Sequence, residues 1–392
     1  MQLADEESKK REEREAAEDF RRQLQERTAK RGELGGKEDR LRWLEEKGEL
    51  LTDSARAGWS PVQYPGMTLT EFKQELERTP LPSPHDDPFT QPIVRVLCQE
   101  VENACQILGV PLRSGVAYGS TPTLDISAEQ ITVPLTDASV VSLSQGFITF
   151  CSHVSKVFSL SLPHEADGDR LKVSFQPKLV VARIGSSDEL KQYWAGVIGA
   201  YAFGSGPLDV GHQIVPYPAS ITRIKLLLAM ERFSVAHEYA HHVAQHGRKE
   251  VIGAGEDPDV IDQEFEADLF GLSLDRHIGY RNTPPNIFSA SGAAAVLLLK
   301  CHDCVRRVRQ IFLTGEDVIK QGTTHPEISD RIAAFDLLDE QIPDPNRKDF
   351  KKMREDFATI VDEVYRRLKP IYVEMHKQGL RPLDSTGESW LS

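Results

Sequence analysis

A chain of 392 residues, 40% of them apolar, can bury a sizeable core as one large domain or two smaller ones with appendages. Its formal charge of −13 and isoelectric point near 5.5 lack the concentrated basic surface that nucleic acid or an anionic membrane requires, so neither partner is expected. The most apolar run, SASGAAAVLLLK up to Lys300, is about half the length of a membrane-spanning helix, and no membrane insertion is predicted.

The N-terminus, MQLADEESKKREEREAAEDF, has no apolar segment of the export-signal kind and too many acids for a transit peptide, which predicts a cytoplasmic location. Five cysteines without framework spacing fit the same reducing compartment. Residues 1–52 read as a charged helical or disordered arm; its functional alternative is a docking helix for a protein partner, anchored by Leu41, Trp43, Leu44, Leu50 and Leu51. Residues 53–92 form a linker, whose segment TPLPSPHDDPFTQP carries too many prolines for a helix or a central strand.

The main domain is expected over 93–345. It opens on an amphipathic helix, IVRVLCQEVENACQIL, over 93–108. TLDISAEQITVPL, VVSLS, FSLSLP and LKVSFQPKLVVARI then read as short strands of a small sheet. Residues 190–220 mix aromatics with Gly and Pro and suit either a mobile cover over a cleft or a packed irregular connection. Further helices are expected at about 287–313, 327–339 and 347–378, with Pro370 interrupting the last; residues 346–392 make a charged C-terminal helix and tail. Cys301 and Cys304 form a lone CxxC in a helical context and read as core residues rather than a metal or redox site.

The segment VAHEYAHHVAQHG contains His237, Glu238 and His241 as HExxH. Two histidines four apart project from one helix face and can reach one ion. They continue the apolar stripe Leu226, Met230, Phe233, and Gly247 is placed to end the helix. Asp257 and Pro258 suit the start of a second helix, running to Asp275. In such an αα-hairpin, His241 and Glu264 each lie about 10 Å from the turn, at roughly 1.5 Å per residue. Antiparallel packing then makes His237, His241 and Glu264 the ligands of one Zn2+ per chain, with a fourth position open as in catalytic zinc. Asp268, one turn beyond Glu264, is placed to accept the other ring N–H of His237. Glu266 is the rival ligand, expected to face solvent.

These residues resemble a family. HExxH followed by ExxAD in DQEFEADLFG is similar to the gluzincin metallopeptidases, and more narrowly to the group of HtpX-like heat-shock proteases and CAAX prenyl proteases. His246 matches a second histidine that often follows the zinc helix there. TTHPEISDRIAAF, with His325, Pro326, Arg331 and Ile332, is similar to the group's downstream HP…RI segment. The chain departs from the group in having no membrane-spanning helix and in the short spacing from His241 to Glu264.

The resemblance implies an α+β, mainly helical, zincin-like metallopeptidase domain with a small β-sheet. It implies Glu238 as general base, His325 beside the cleft stabilising the tetrahedral intermediate, and Arg331 tying a C-terminal helix to the acidic side of the site, with His246 and Asp268 outside the ligand shell. The expected function is hydrolysis of a protein or peptide substrate by a water that zinc activates. The alternative is a catalytically silent or regulatory scaffold of the same fold, acting through its charged arms.

Overall fold

The computed structural model describes residues 2–29, 42, 45–46, 69–78, 80–121, 123–167, 170–204, 210, 213–246, 259–318, 326–341 and 344–383. They form a mainly helical α+β architecture with a small sheet. No helix among them is long and apolar enough to cross a membrane. The expected anchor at Leu41, Trp43, Leu44, Leu50 and Leu51 lies outside the described residues.

The N-terminal helix α1 (Gln2–Ala29) is followed by α2 (Leu69–Arg78) and α3 (Thr90–Leu108). Val94, Leu97, Cys98, Val101 and Cys105 give α3 its buried face, as the periodicity predicts. Strands β1 (Val116–Thr121), β2 (Ala128–Thr132) and β3 (Ser139–Ser144) make one sheet in the order β1-β3-β2, with β1 parallel and β2 antiparallel to β3. That order leaves β2 at an edge.

Helix α4 (Gln145–Ser161) begins where the Ser144 hydroxyl accepts the Phe147 N–H. A two-stranded hairpin, β4 (His164–Asp167) and β5 (Arg170–Val173), precedes α5 (Pro177–Ser186) and α6 (Asp188–Phe203).

Three expectations are corrected here. FSLSLP is largely the last turn of α4, where Ser159 and Ser161 satisfy their hydroxyls on carbonyls three and four residues back. PKLVVARI is α5, with Pro177 in its first turn, where no N–H is required. Most of 190–203 is α6 rather than an irregular cover; Trp194 is fully buried and donates to the Ser161 hydroxyl at 3.0 Å.

The central helix α7 (Ala219–Ala244) packs against α8 (Val260–Arg281), and α9 (Ile287–Ser291), α10 (Ala293–Thr314), α11 (Ile328–Gln341) and α12 (Arg347–Lys377) complete the bundle. The single helix expected over 287–313 is two, because Gly292 adopts φ 72° between α9 and α10. Helix α12 runs through Pro370 without interruption. Leu368 and Tyr372 on either side of it are buried, so packing offsets the hydrogen bond that proline removes. The five cysteines are free and buried, Cys301 and Cys304 among them.

Residues 2–29 of the arm and 80–92 of the proline-rich stretch are packed into the body. Helix α1 lies against β1 and β3, with Ala17 fully buried. Its main hold is polar: the Arg21 guanidinium, 2% exposed, donates to Asp86 at 2.7 Å, and Gln25 donates to Asp86 and to the Ser120 carbonyl. Residue 119 must be glycine for this fit, since a Cβ there would come within 2.0 Å of the guanidinium. Residues 80–89 are therefore no solvated linker: Asp86 and Asp87 are buried, and Asp87 accepts from the Thr90 N–H and the Gln145 amide.

Replacing Arg21 with Ala leaves the Asp86 carboxylate buried without its counter-charge, at a cost of about 3 kcal/mol. Denaturant unfolding is expected to show that loss, with faster proteolysis within 2–29. A loss below about 1 kcal/mol, in the range of an exposed pair, would mean that other contacts hold α1.

Candidate metal centre

Helices α7 and α8 run antiparallel, so partners descend along one as they rise along the other. Arg232 faces Asp275, His237 faces Asp268, and His241 faces Glu264. The approach is close at Gly271, where a Cβ would stand 2.9 Å from the His237 main-chain nitrogen. Helix α7 ends at Gln245, which takes φ 62°, two residues before the expected stop at Gly247. Asp259 caps α8 by accepting the Ile261 N–H. Gly247, Asp257 and Pro258 lie outside the described residues, and so does His325.

The two imidazoles and one carboxylate converge. His237 Nε2 and His241 Nε2 are 3.1 Å apart, and the Glu264 oxygens are 3.4 Å from each. Four donors held tetrahedrally at about 2.1 Å from zinc would be separated by about 3.4 Å. The donor set fits a metal ion in number, spacing and chemistry, and no other such group occurs among the described residues. Glu264 is buried, His237 is fully enclosed and His241 is partly open.

The outer ring nitrogens fix the tautomers. His237 Nδ1–H donates to Asp268 Oδ1 at 3.1 Å, and Arg331 donates to both Asp268 oxygens at 2.6 Å. On the other side, the left-handed Gln245 turns His246 back over His241, with their Nδ1 atoms 2.8 Å apart. His246 Nε2 lies 3.2 Å from the Glu266 carboxylate, which accepts from it. His246 Nδ1 is then an acceptor, His241 Nδ1 carries its proton outward, and both inner Nε2 atoms can present a lone pair.

Without a metal the ring pair holds a proton. Burial opposes charge on His237, but hydrogen bonds to Asp268 and Glu264 outweigh it and raise its pKa to about 10. Burial and the neighbouring His237 charge push His241 down to about 3. Burial alone would raise the Asp268 carboxyl, yet Arg331 keeps it below its ordinary value.

Glu238, 3% exposed, has one oxygen without a hydrogen-bond partner, and its carboxylate lies within the influence of the Gln130 main chain on β2. Burial, with the charges of Glu264 and Glu129, raises it to about 8 against the opposing effect of His237.

The structure thus brings His237, Glu238, His241, His246, Glu264, Asp268 and Arg331 together. Glu266 is exposed as expected, but it has a role that the sequence does not suggest, as the outer partner of His246. His242, next to His241 in sequence, lies outside the donor cluster. It is fully buried, with Nδ1 at 2.8 Å from Ser139 Oγ and Nε2 at 2.9 Å from the Leu112 carbonyl, and it ties α7 to the sheet. The Gln130 contact was also not legible, because it depends on how the edge strand crosses α7.

No family model, curated protein or solved structure matches the chain. The functional reading rests on its own residues.

Zinc titration of the metal-free protein should give one site per chain. Because His237 must lose its proton to coordinate, binding near pH 7 should release about one proton or more, and affinity should fall as pH drops. Calorimetry in buffers of different ionisation enthalpy checks this; proton-neutral binding would show that the ring pair is not the ligand set. Asp268→Asn and His246→Ala should each weaken binding by about 10- to 100-fold, whereas Glu266→Ala should have the smaller effect of an exposed group.

Proposed function

We propose that the chain is a zinc metallopeptidase of the gluzincin kind, hydrolysing peptide bonds in a protein or peptide substrate. The observation that carries this reading is a His–His–Glu donor set at tetrahedral spacing with a buried glutamate, Glu238, adjoining it and one oxygen of that glutamate unpartnered. Three protein donors leave a coordination position open, which separates catalytic from structural zinc. The HExxH, ExxAD and HP…RI segments support the same assignment by resemblance.

His237, His241 and Glu264 would hold the ion, with Asp268, Arg331 and His246 fixing the rings. Zinc held there supplies Lewis acidity, which acidifies water and polarises a carbonyl. Glu238 takes the proton that the attacking water loses and delivers it to the departing amine. A carboxyl raised by burial is suited to both halves of that transfer. The edge strand β2, whose Gln130 main chain acts on Glu238, offers unpaired main-chain groups on which an extended peptide can lie. His325 enters by resemblance alone, as a donor to the developing oxyanion.

Glu238→Gln keeps shape and removes the base. The variant should bind zinc like the wild type and cleave an unstructured protein at least about 100-fold more slowly. Comparison of new N-termini generated by the two proteins in a cell extract would identify substrates. Equal cleavage by both would overturn the mechanism.

A further inference from the structure

Remote from the metal centre, α4, α6 and α7 bring together two half-buried cations that pair with no acid among the described residues. Lys156 on α4 and Arg223 on α7 lie close enough that the guanidinium charge acts on the ammonium, and it is the one charge among the described residues that does. Neither side chain makes an ion pair with a described carboxylate. Arg223 Nη2 donates to Ser152 Oγ at 3.3 Å, while its Nε is buried with no partner. Ser152 and Lys156, four apart on α4, face the same way. From α6 comes Tyr193, 6% exposed, whose hydroxyl is buried and also unpartnered. Glu231 acts on Arg223 from two turns along α7, but it is 2% exposed and burial raises its carboxyl to about 8, so near neutral pH it carries little charge.

Bringing two half-buried cations together is costly, and the buried, unpartnered Arg223 Nε and Tyr193 hydroxyl call for a ligand, ion or water to satisfy them. We propose that Lys156, Arg223, Ser152 and Tyr193 form a binding site for a small oxyanion, a phosphate or carboxylate group. The oxyanion accepts hydrogen bonds from Arg223 Nε, Lys156 Nζ and the Tyr193 hydroxyl, and its charge relieves the repulsion between the cations. Tyr193 also lines an open cavity of about 290 Å3, with Arg183, Ser187, Glu189 and Gln213 around it, which has room for the remainder of a larger ligand. Arg223 precedes His237 by 14 residues on the same helix, about 21 Å at 1.5 Å per residue. The site is therefore separate from the metal centre and independent of the peptidase reading.

The test uses the full chain, with inorganic phosphate and succinate as probes against sodium chloride at equal ionic strength. At a hundredfold excess over Kd the bound oxyanion should raise Tm by about 3 °C. A response to phosphate alone identifies a phosphoryl ligand, and a response to succinate as well identifies a general carboxylate site. Lys156→Gln and Arg223→Gln should each lower affinity at least about tenfold, as expected for loss of a charge-assisted hydrogen bond. Lys156→Gln without anion should be at least as stable as the wild type, because it removes a like-charge contact; if Arg223→Gln does not fold, Lys156→Gln alone decides. Equal responses to chloride and to the oxyanions, or undiminished binding by Lys156→Gln, would overturn the proposal.

Discussion

The buried carboxylate of Asp268 is the point at which three helices become one site. It is fully enclosed, and a carboxylate in that position is tolerable only with a counter-charge and satisfied oxygens. Arg331 supplies both through two 2.6 Å hydrogen bonds, and His237 adds a third. Helix α11 is held in turn by Phe335 packing edge-on to Phe233 of α7 and by Asp339, which pairs with Arg276 of α8 and Arg354 of α12. The orientation of one imidazole thus depends on packing that extends across the bundle.

The two ring ligands are supported unequally. His237 rests on a carboxylate that is fully buried and held by two hydrogen bonds from Arg331. His241 rests on His246 and, through it, on Glu266, whose side chain is 65% exposed. One side of the centre is clamped and the other opens to solvent. The same asymmetry appears in burial, since His237 is 1% exposed and His241 13%. A solvent molecule would reach the centre from the His241 side.

Much of the centre was legible in the sequence because helices impose simple rules of spacing. A step of four from His237 to His241, the same step from Glu264 to Asp268, and equal distances to a turn place the donors without any knowledge of the remaining fold. The amphipathic spacing of Val94, Leu97, Val101 and Cys105 gave α3 in the same way. The sequence was misleading where local pattern was ambiguous: FSLS alternates like a strand but lies in a helix whose serines bond back to the main chain. It was silent where a contact joins distant segments, as in Arg21 with Asp86, Gln130 with Glu238, and His246 with Glu266. Those pairings depend on tertiary geometry, and a single sequence does not contain it in readable form.

The dependence on Arg331 also orders events in time. During synthesis His237, His241, Glu264 and Asp268 emerge in a stretch of 32 residues, but the charge that makes burial of Asp268 tolerable follows 63 residues later. Until α11 is available to dock, α7 and α8 would close over a carboxylate that has His237 as a partner but lacks the two hydrogen bonds from Arg331. The donors therefore come early in translation, and the Arg331 charge that completes the centre comes only after most of the chain has been made.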